Sequence, residues 1–178
     1  MKTGISDYLT RWRHTRGYGV HSPLAYRITK DCLHPDSRYA MYADDYIDSV
    51  YSESDFASRH MAYLLLRLVN IMLPSCIWMP GADRRIEEAI KGSFHSIHVN
   101  RSSKCPKNAD FIAIFNNTNL ELAWNSLHQT DSVCLISFSG NQSLTSPVNN
   151  APTLTMVGRR YSIFIKRKGM APVSYSIL

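Results

Sequence analysis

Few residues of this chain combine the type and the spacing that chemistry needs. One such place is Met79-Pro80-Gly81-Ala82-Asp83-Arg84-Arg85, between an apolar run and a helical pattern. Gly81 can take the positive φ of a tight turn, and Asp83 can cap the helix behind it. Followed by two arginines, this turn suits an anion better than a neutral ligand. Its plainer reading is a strand-to-helix turn with solvated arginines. His21 beside Ser22 raises a base and a nucleophile, but the sequence places no acid near them. Ser22 followed by Pro23 is better read as the start of a helix. His95 and His98 are three apart in a segment that reads as a strand, so they face opposite sides and cannot share a metal. No metal site is expected. Tyr8, Arg11, Trp12, Arg13, Arg16 and Tyr18 interleave aromatic and basic side chains, as nucleic-acid surfaces do. An amphipathic helix with Trp12 turned inward gives the same string.

The elements that position these residues follow from periodicity. Residues 1–50 read as helical and irregular. Ile5, Tyr8, Leu9 and Trp12 share one helical face in 5–14. Gly17 and Gly19 break that helix, and a second runs from Pro23 to about Leu33, ahead of Pro35. A third, short helix is expected within 39–50. The strongest helix signal is 55–73, with Met61, Leu64, Leu65, Leu68, Ile71 and Met72 on one face and Pro74 as its stop. Beyond Ser75 the pattern changes to alternating strands and helices. Strands are expected at 76–79, 95–99, 109–115 and 132–138, with helices at 84–90 and 120–128. Continuous apolar strands separated by helices imply a parallel sheet covered on both faces. The chain then closes with a hairpin, 153–157 and 161–167 about Gly158-Arg159-Arg160, and an edge strand at 173–178. The stretch 139–152 is a polar loop. The expected fold is α/β: a Rossmann-like, mostly parallel sheet with a C-terminal antiparallel hairpin. Residues 1–54 form a helical extension to a domain spanning 55–178.

A chain of 178 residues can build one sizeable core. No apolar run approaches the ~20 residues of a membrane span, and the first residues lack the apolar core of a signal peptide. A cytoplasmic location is expected. Cys32, Cys76, Cys105 and Cys134 form no CxxC pair and read as reduced thiols, with Cys76 and Cys134 in the core. The net charge of +6 is uneven. Residues 1–30 are basic, through Lys2, Arg11, Arg13, Arg16, Arg27 and Lys30. Residues 36–55 are acidic, through Asp36, Asp44, Asp45, Asp48, Glu53 and Asp55. The two segments are expected to pack together, or the basic arm to reach an acidic partner.

The layout, parallel strands followed by a hairpin, resembles that of class I S-adenosylmethionine-dependent methyltransferases. The segment Gly17–Leu33, with its His21-Ser22-Pro23, is similar to the opening of one bacterial O-methyltransferase family. Residues 62–82, 110–117, 131–138 and 161–168 are similar to that family's first strand with its preceding helix, its fourth and fifth strands and its penultimate segment. The resemblance implies cofactor contacts at the strand ends: Gly81 and Asp83 after the first strand, Asn100 after the second and Asn116 after the fourth. The departures are as informative. The glycine-rich turn has one glycine. The ribose-binding acid is Asn100, a weaker acceptor than a carboxylate. The metal-binding acid of the fourth strand is Asn116-Asn117, and the fifth strand ends in Ser137-Phe138-Ser139. A hard cation needs carboxylate oxygens. About nine residues lead from Asn100 to Ala109, too few for a further strand with its helices, so the third strand is expected to be missing.

Three functions fit these observations. The first is a degenerate methyltransferase-like protein that is catalytically silent, does not bind S-adenosylmethionine normally and serves as a scaffold or partner subunit, to another protein or to a second copy. The second is an active O-methyltransferase with an atypical cofactor site using His21, Asp83, Asn100 and Asn116. The third is a module binding nucleic acid or an acidic partner through Arg11, Arg13 and Arg16. The first is the reading expected here.

Overall fold

The computed structural model describes residues 5–33, 42–51, 56–115, 120–127, 132–138 and 151–177. Helix α1 spans Ile5–Thr15, with Asp7 in its first turn and Arg13 and His14 in its last, as the helix dipole favours. Helix α2 spans Pro23–Ile28; the Ser22 hydroxyl accepts from the Ala25 N–H at 3.3 Å, so Ser22 is the cap expected of it. The chain continues through a π-helical turn, Thr29–Leu33, into α3 (Tyr42–Val50) and α4 (Phe56–Met72). Leu73 takes a positive φ of 46° and closes α4 ahead of Pro74.

The buried surface of α4 is wider than its periodicity predicts. Ala62, Leu64, Leu65, Leu66, Leu68 and Val69 are all buried, while Met61, Ile71 and Met72 are partly exposed. The cause is packing on more than one side: α4 contacts the sheet at β4 (Ser132–Ser137), the π-helical turn and α3.

The remaining elements are β1 (Cys76–Trp78), α5 (Arg84–Ser93), β2 (His98–Asn100), β3 (Phe111–Ile114), α6 (Leu120–Ser126), β5 (Leu154–Val157), β6 (Ser162–Arg167) and β7 (Val173–Ser176). They form an α/β structure around a mixed seven-stranded sheet of order β2-β1-β3-β4-β6-β5-β7. The strands β2, β1, β3 and β4 are parallel; β6 lies antiparallel to both β4 and β5, and β7 runs parallel to β5 along the edge. The expected hairpin and edge strand are thus both present. Strand β2 is shorter than expected. His95 lies in the turn before it, so the alternation invoked for His95 and His98 does not apply. Residues 101–110 lead from β2 to β3 without a helix or strand.

Alternation in the central strands divides the core. Phe111 and Ala113 of β3 face a cluster built with α2, α3, α4 and α5; Ile112 and Ile114 face a second cluster with Trp78, Trp124 and Phe164. The first cluster joins Val20, Ala25, Ile28, Ile47 and Tyr51 of the N-terminal region to the sheet. At the amino end of the sheet, the Asp110 carboxylate accepts from the N–H groups of Ser75 and Cys76, each at 2.9 Å, and fixes β1 beside β3. All four cysteines are free thiols, with Cys32, Cys76 and Cys134 buried.

One expectation about the N-terminal region is overturned. Tyr8 and Leu9, placed on the inward face of α1, are exposed, and Trp12 is only partly buried. The inward face is instead polar: Asp7, Arg11, His14 and Thr15, at i, i+4, i+7 and i+8. His14 Nδ1–H donates to the carbonyl of Ser176 at 3.1 Å, and Arg11 reaches that of Ile177 at 3.5 Å. Helix α1 lies against an edge strand, β7, and edge carbonyls call for donors rather than for apolar side chains. The basic and acidic segments share one apolar cluster, Val20, Ala25 and Ile28 with Ile47 and Tyr51. Asp44 pairs with Arg67 at 3.2 Å, and Asp48 pairs with Arg59, so these acids are tied to α4. In the basic segment Arg11 pairs with Asp7 and Arg27 with Asp31, one helical turn apart.

Candidate functional site

In an open parallel sheet, ligands bind at the carboxyl ends of the strands, where the strand order reverses. Here the reversal lies between β1 and β3, because β2 pairs with β1 on one side and β3 on the other. The surrounding edge carries Met79–Asp83 after β1, Asn100 after β2, Phe115 after β3 and Phe138 after β4. The β5–β6 turn reaches the same edge, since Ser162 at the start of β6 pairs with Ser137 at the end of β4.

Gly81 adopts a φ of 70°, as the turn requires. Asp83 is the cap of α5, accepting from the Arg85 N–H at 3.0 Å. Its other carboxylate oxygen accepts from Arg85 Nε at 2.8 Å. The Arg85 guanidinium lowers the Asp83 pKa from the usual carboxylate value, through that hydrogen bond first. Arg85 itself is not a solvated arginine. Its Nη1 donates to the Val50 carbonyl at 3.0 Å, and its guanidinium lies 4.1 Å from the centre of the buried Tyr51 ring. The pair Asp83–Arg85 therefore straps α5 to the end of α3. Arg84 is exposed and pairs with Glu88 along the helix at 2.9 Å.

Asn100 is likewise engaged. Its Oδ1 accepts from the Ser102 N–H at 2.8 Å and from the Ser102 hydroxyl at 2.6 Å, closing a turn on itself. The Ser102 carbonyl in turn accepts from the Trp78 indole N–H at 2.8 Å, so the crossing segment is pinned over β1. Met79 is fully buried. Beyond β3 and β4, Phe115 and Phe138 stack with centroids 4.9 Å apart and planes at 19°, a pair that covers the ends of both strands. Asn116, Asn117 and Ser139 lie outside the described residues, as does most of the polar loop 139–152.

The structure brings Gly81, Asp83 and Asn100 to one edge but gives the two polar side chains internal partners. His21 lies elsewhere: the N–H groups of His21 and Ser22 both donate to the Tyr175 phenol oxygen, at 3.2 and 3.3 Å. Sequence reasoning missed the Arg85–Tyr51 strap and the Phe115–Phe138 stack. The stack had a signal: each phenylalanine stands one residue beyond the end of a strand, and the two strands are in register. The strap had none, since Tyr51 and Arg85 are far apart in sequence. Among the described residues no three His, Cys, Asp or Glu side chains gather as a metal site, and no helix is long and apolar enough to cross a membrane. Compared with family models, with curated proteins and with solved structures, the chain matches none.

Proposed function

We propose that this chain is a methyltransferase-like domain that has given up cofactor binding, and that it acts as a scaffold or partner subunit rather than as a catalyst. The observation that carries the reading is the fate of the two polar side chains at the reversal point. Asp83 is held by Arg85 and by the α5 amide, and Asn100 by Ser102. Asn100 Oδ1 already accepts from two Ser102 donors, so a ribose hydroxyl donating to it would have to displace one of them, at a net cost of about 0.5–1.5 kcal/mol. The residues present therefore do not fit S-adenosylmethionine.

The methyltransferase-like part of the reading rests on strand order. The parallel half, β2-β1-β3-β4, matches the 2-1-4-5 portion of a doubly wound sheet whose third strand is omitted. The reversed β5–β6 hairpin beside it, and the short segment 101–110 in place of a strand with its helices, support the same view. Isothermal titration with S-adenosylmethionine and S-adenosylhomocysteine tests the proposal. No saturable heat is expected up to millimolar ligand, for the natural chain and for Asn100→Asp, which restores the acid. Micromolar binding by either would overturn it.

A further inference from the structure

We propose that the outward face of α1, the Gly17–Gly19 turn and α2 binds single-stranded nucleic acid. Three observations converge there. The first is aromatic exposure: Tyr8 is 47%, Tyr18 61% and Tyr26 46% exposed, and Leu9 beside them 51%. These are four of the six large apolar or aromatic side chains that stand exposed among the described residues, gathered in one short stretch. The second is charge. Residues 5–33 carry five basic side chains against two acidic. The two acids are taken up by Arg11 and Arg27, which leaves Arg13, Arg16 and Lys30 without an ion pair among the described residues. The third is order. Tyr8, Trp12 and Arg16 form one row at i, i+4 and i+8, and the Arg16 guanidinium stacks 4.5 Å above the Trp12 ring. Gly17, at φ 85°, has the Tyr26 ring against it; a Cβ there would sit 3.0 Å from Tyr26 Cε2. Tyr26 is thus seated on the turn that carries Tyr18.

Folding does not explain this face. Helix α1 is attached to β7 through Arg11 and His14, on its opposite side. Of the acidic residues in the following segment, Asp44 and Asp48 are bound to α4. What remains is a set of exposed rings interleaved with cations that have no ion pair among the described residues. Rings stack on unpaired bases and cations meet the phosphates between those bases; a duplex hides its base faces and offers only the phosphates. Stacking does not separate RNA from DNA, so both belong in the test.

The experiment is fluorescence anisotropy of the full chain with labelled 12-nucleotide oligo(U), oligo(dT) and a duplex of equal length, between 50 and 200 mM salt. Three phosphate contacts give a log–log salt slope of about −2, which is a loss of about 20-fold over that range. Tyr18→Ala should weaken single-strand binding by about five-fold or more and leave the slope unchanged. Arg13→Glu should weaken binding and flatten the slope. Tyr26→Ala supplies a second stacking variant, and thermal unfolding confirms that each variant is folded. Preference for oligo(U) over oligo(dT), or the reverse, names the source. Binding to the duplex as tight as to the single strands, binding indifferent to both tyrosine variants, or equal capture of poly-glutamate or anionic vesicles would overturn the proposal.

Discussion

Asp83 decides whether the first strand-to-helix turn is built for a ligand or for the fold. Its carboxylate caps α5 and holds Arg85, which in turn grips the Val50 carbonyl and the Tyr51 ring. Replacing a capping Asp by Ala costs about 0.5–2 kcal/mol. The ion pair adds less: its side chains are 39% and 35% exposed, and solvent screening holds such pairs to about 0.2–1 kcal/mol. Asp83→Ala should therefore destabilise the chain by about 1–2.5 kcal/mol. For a chain of 178 residues that is a fall in Tm of roughly 3–8 °C. Asp83→Asn keeps the cap, because Asn caps as well as Asp, and loses the ion pair alone. It should cost only about 1–2 °C. The pH dependence carries a sign. Arg85 holds the folded-state pKa of Asp83 below its ordinary 3.8. A depressed carboxylate stabilises the fold above its unfolded pKa and loses that contribution as pH falls through the folded value. The gap between natural chain and Asp83→Ala should be constant from about pH 7 to 5 and shrink below about pH 4. Thermal unfolding followed by circular dichroism across that range is the assay. A Tm for Asp83→Ala within 1 °C (roughly the reading error, and under ~0.5 kcal/mol) of the natural chain would refute the structural role, and Asp83→Asn as damaging as Asp83→Ala would refute the cap.

Two further outcomes are expected. Tyr175→Phe removes the oxygen that accepts from His21 and Ser22, at a cost of about 1–3 kcal/mol, and hydrogen exchange at those two amides should quicken while exchange in β3 and β4 does not. Unchanged protection at His21 and Ser22 would count against the tie between chain ends. Burial pushes the Cys105 thiol up to about 11, so its reaction with a disulfide reagent should be slow at neutral pH and rise about tenfold per pH unit toward that value. A plateau below about pH 9 would contradict the burial assigned to it.

The sheet was legible because its central strands are buried on both faces. A run such as Phe111–Ile114 needs no tertiary knowledge to be read, and the Ser22-Pro23 cap is a local signal acting within one turn. The hairpin about Gly158 was equally local. What failed was everything decided by neighbours distant in sequence. Apolar periodicity in α1 predicted that Tyr8 and Leu9 would be buried, but α1 meets the carbonyls of β7, more than 160 residues away, and turns its polar side to them. Arg84 and Arg85 look alike in sequence; only the position of Tyr51 separates the exposed one from the anchored one. Gly81, Asp83 and Asn100 lie on one edge, yet the hydrogen-bond partners Arg85 and Ser102 decide what that edge can do.

The two ends of the molecule thus stand in opposite relations to folding. At the carboxyl edge of β1 and β2, the polar groups that remain are satisfied from within, and substituting them should be felt as stability. On the outward face of α1 and α2 the reverse holds. The side chains of Tyr8, Tyr18, Arg13 and Lys30 are exposed: the helix is anchored by its other face, and Asp44 and Asp48 are tied to α4. Exposed aromatic side chains, and cations with no ion pair among the described residues, add little to the stability of an isolated chain, since about half of each ring stays in water. Substitutions there should leave Tm untouched and change binding. Stability and binding should therefore separate by position along this chain, and the surface to search for its activity is the N-terminal one.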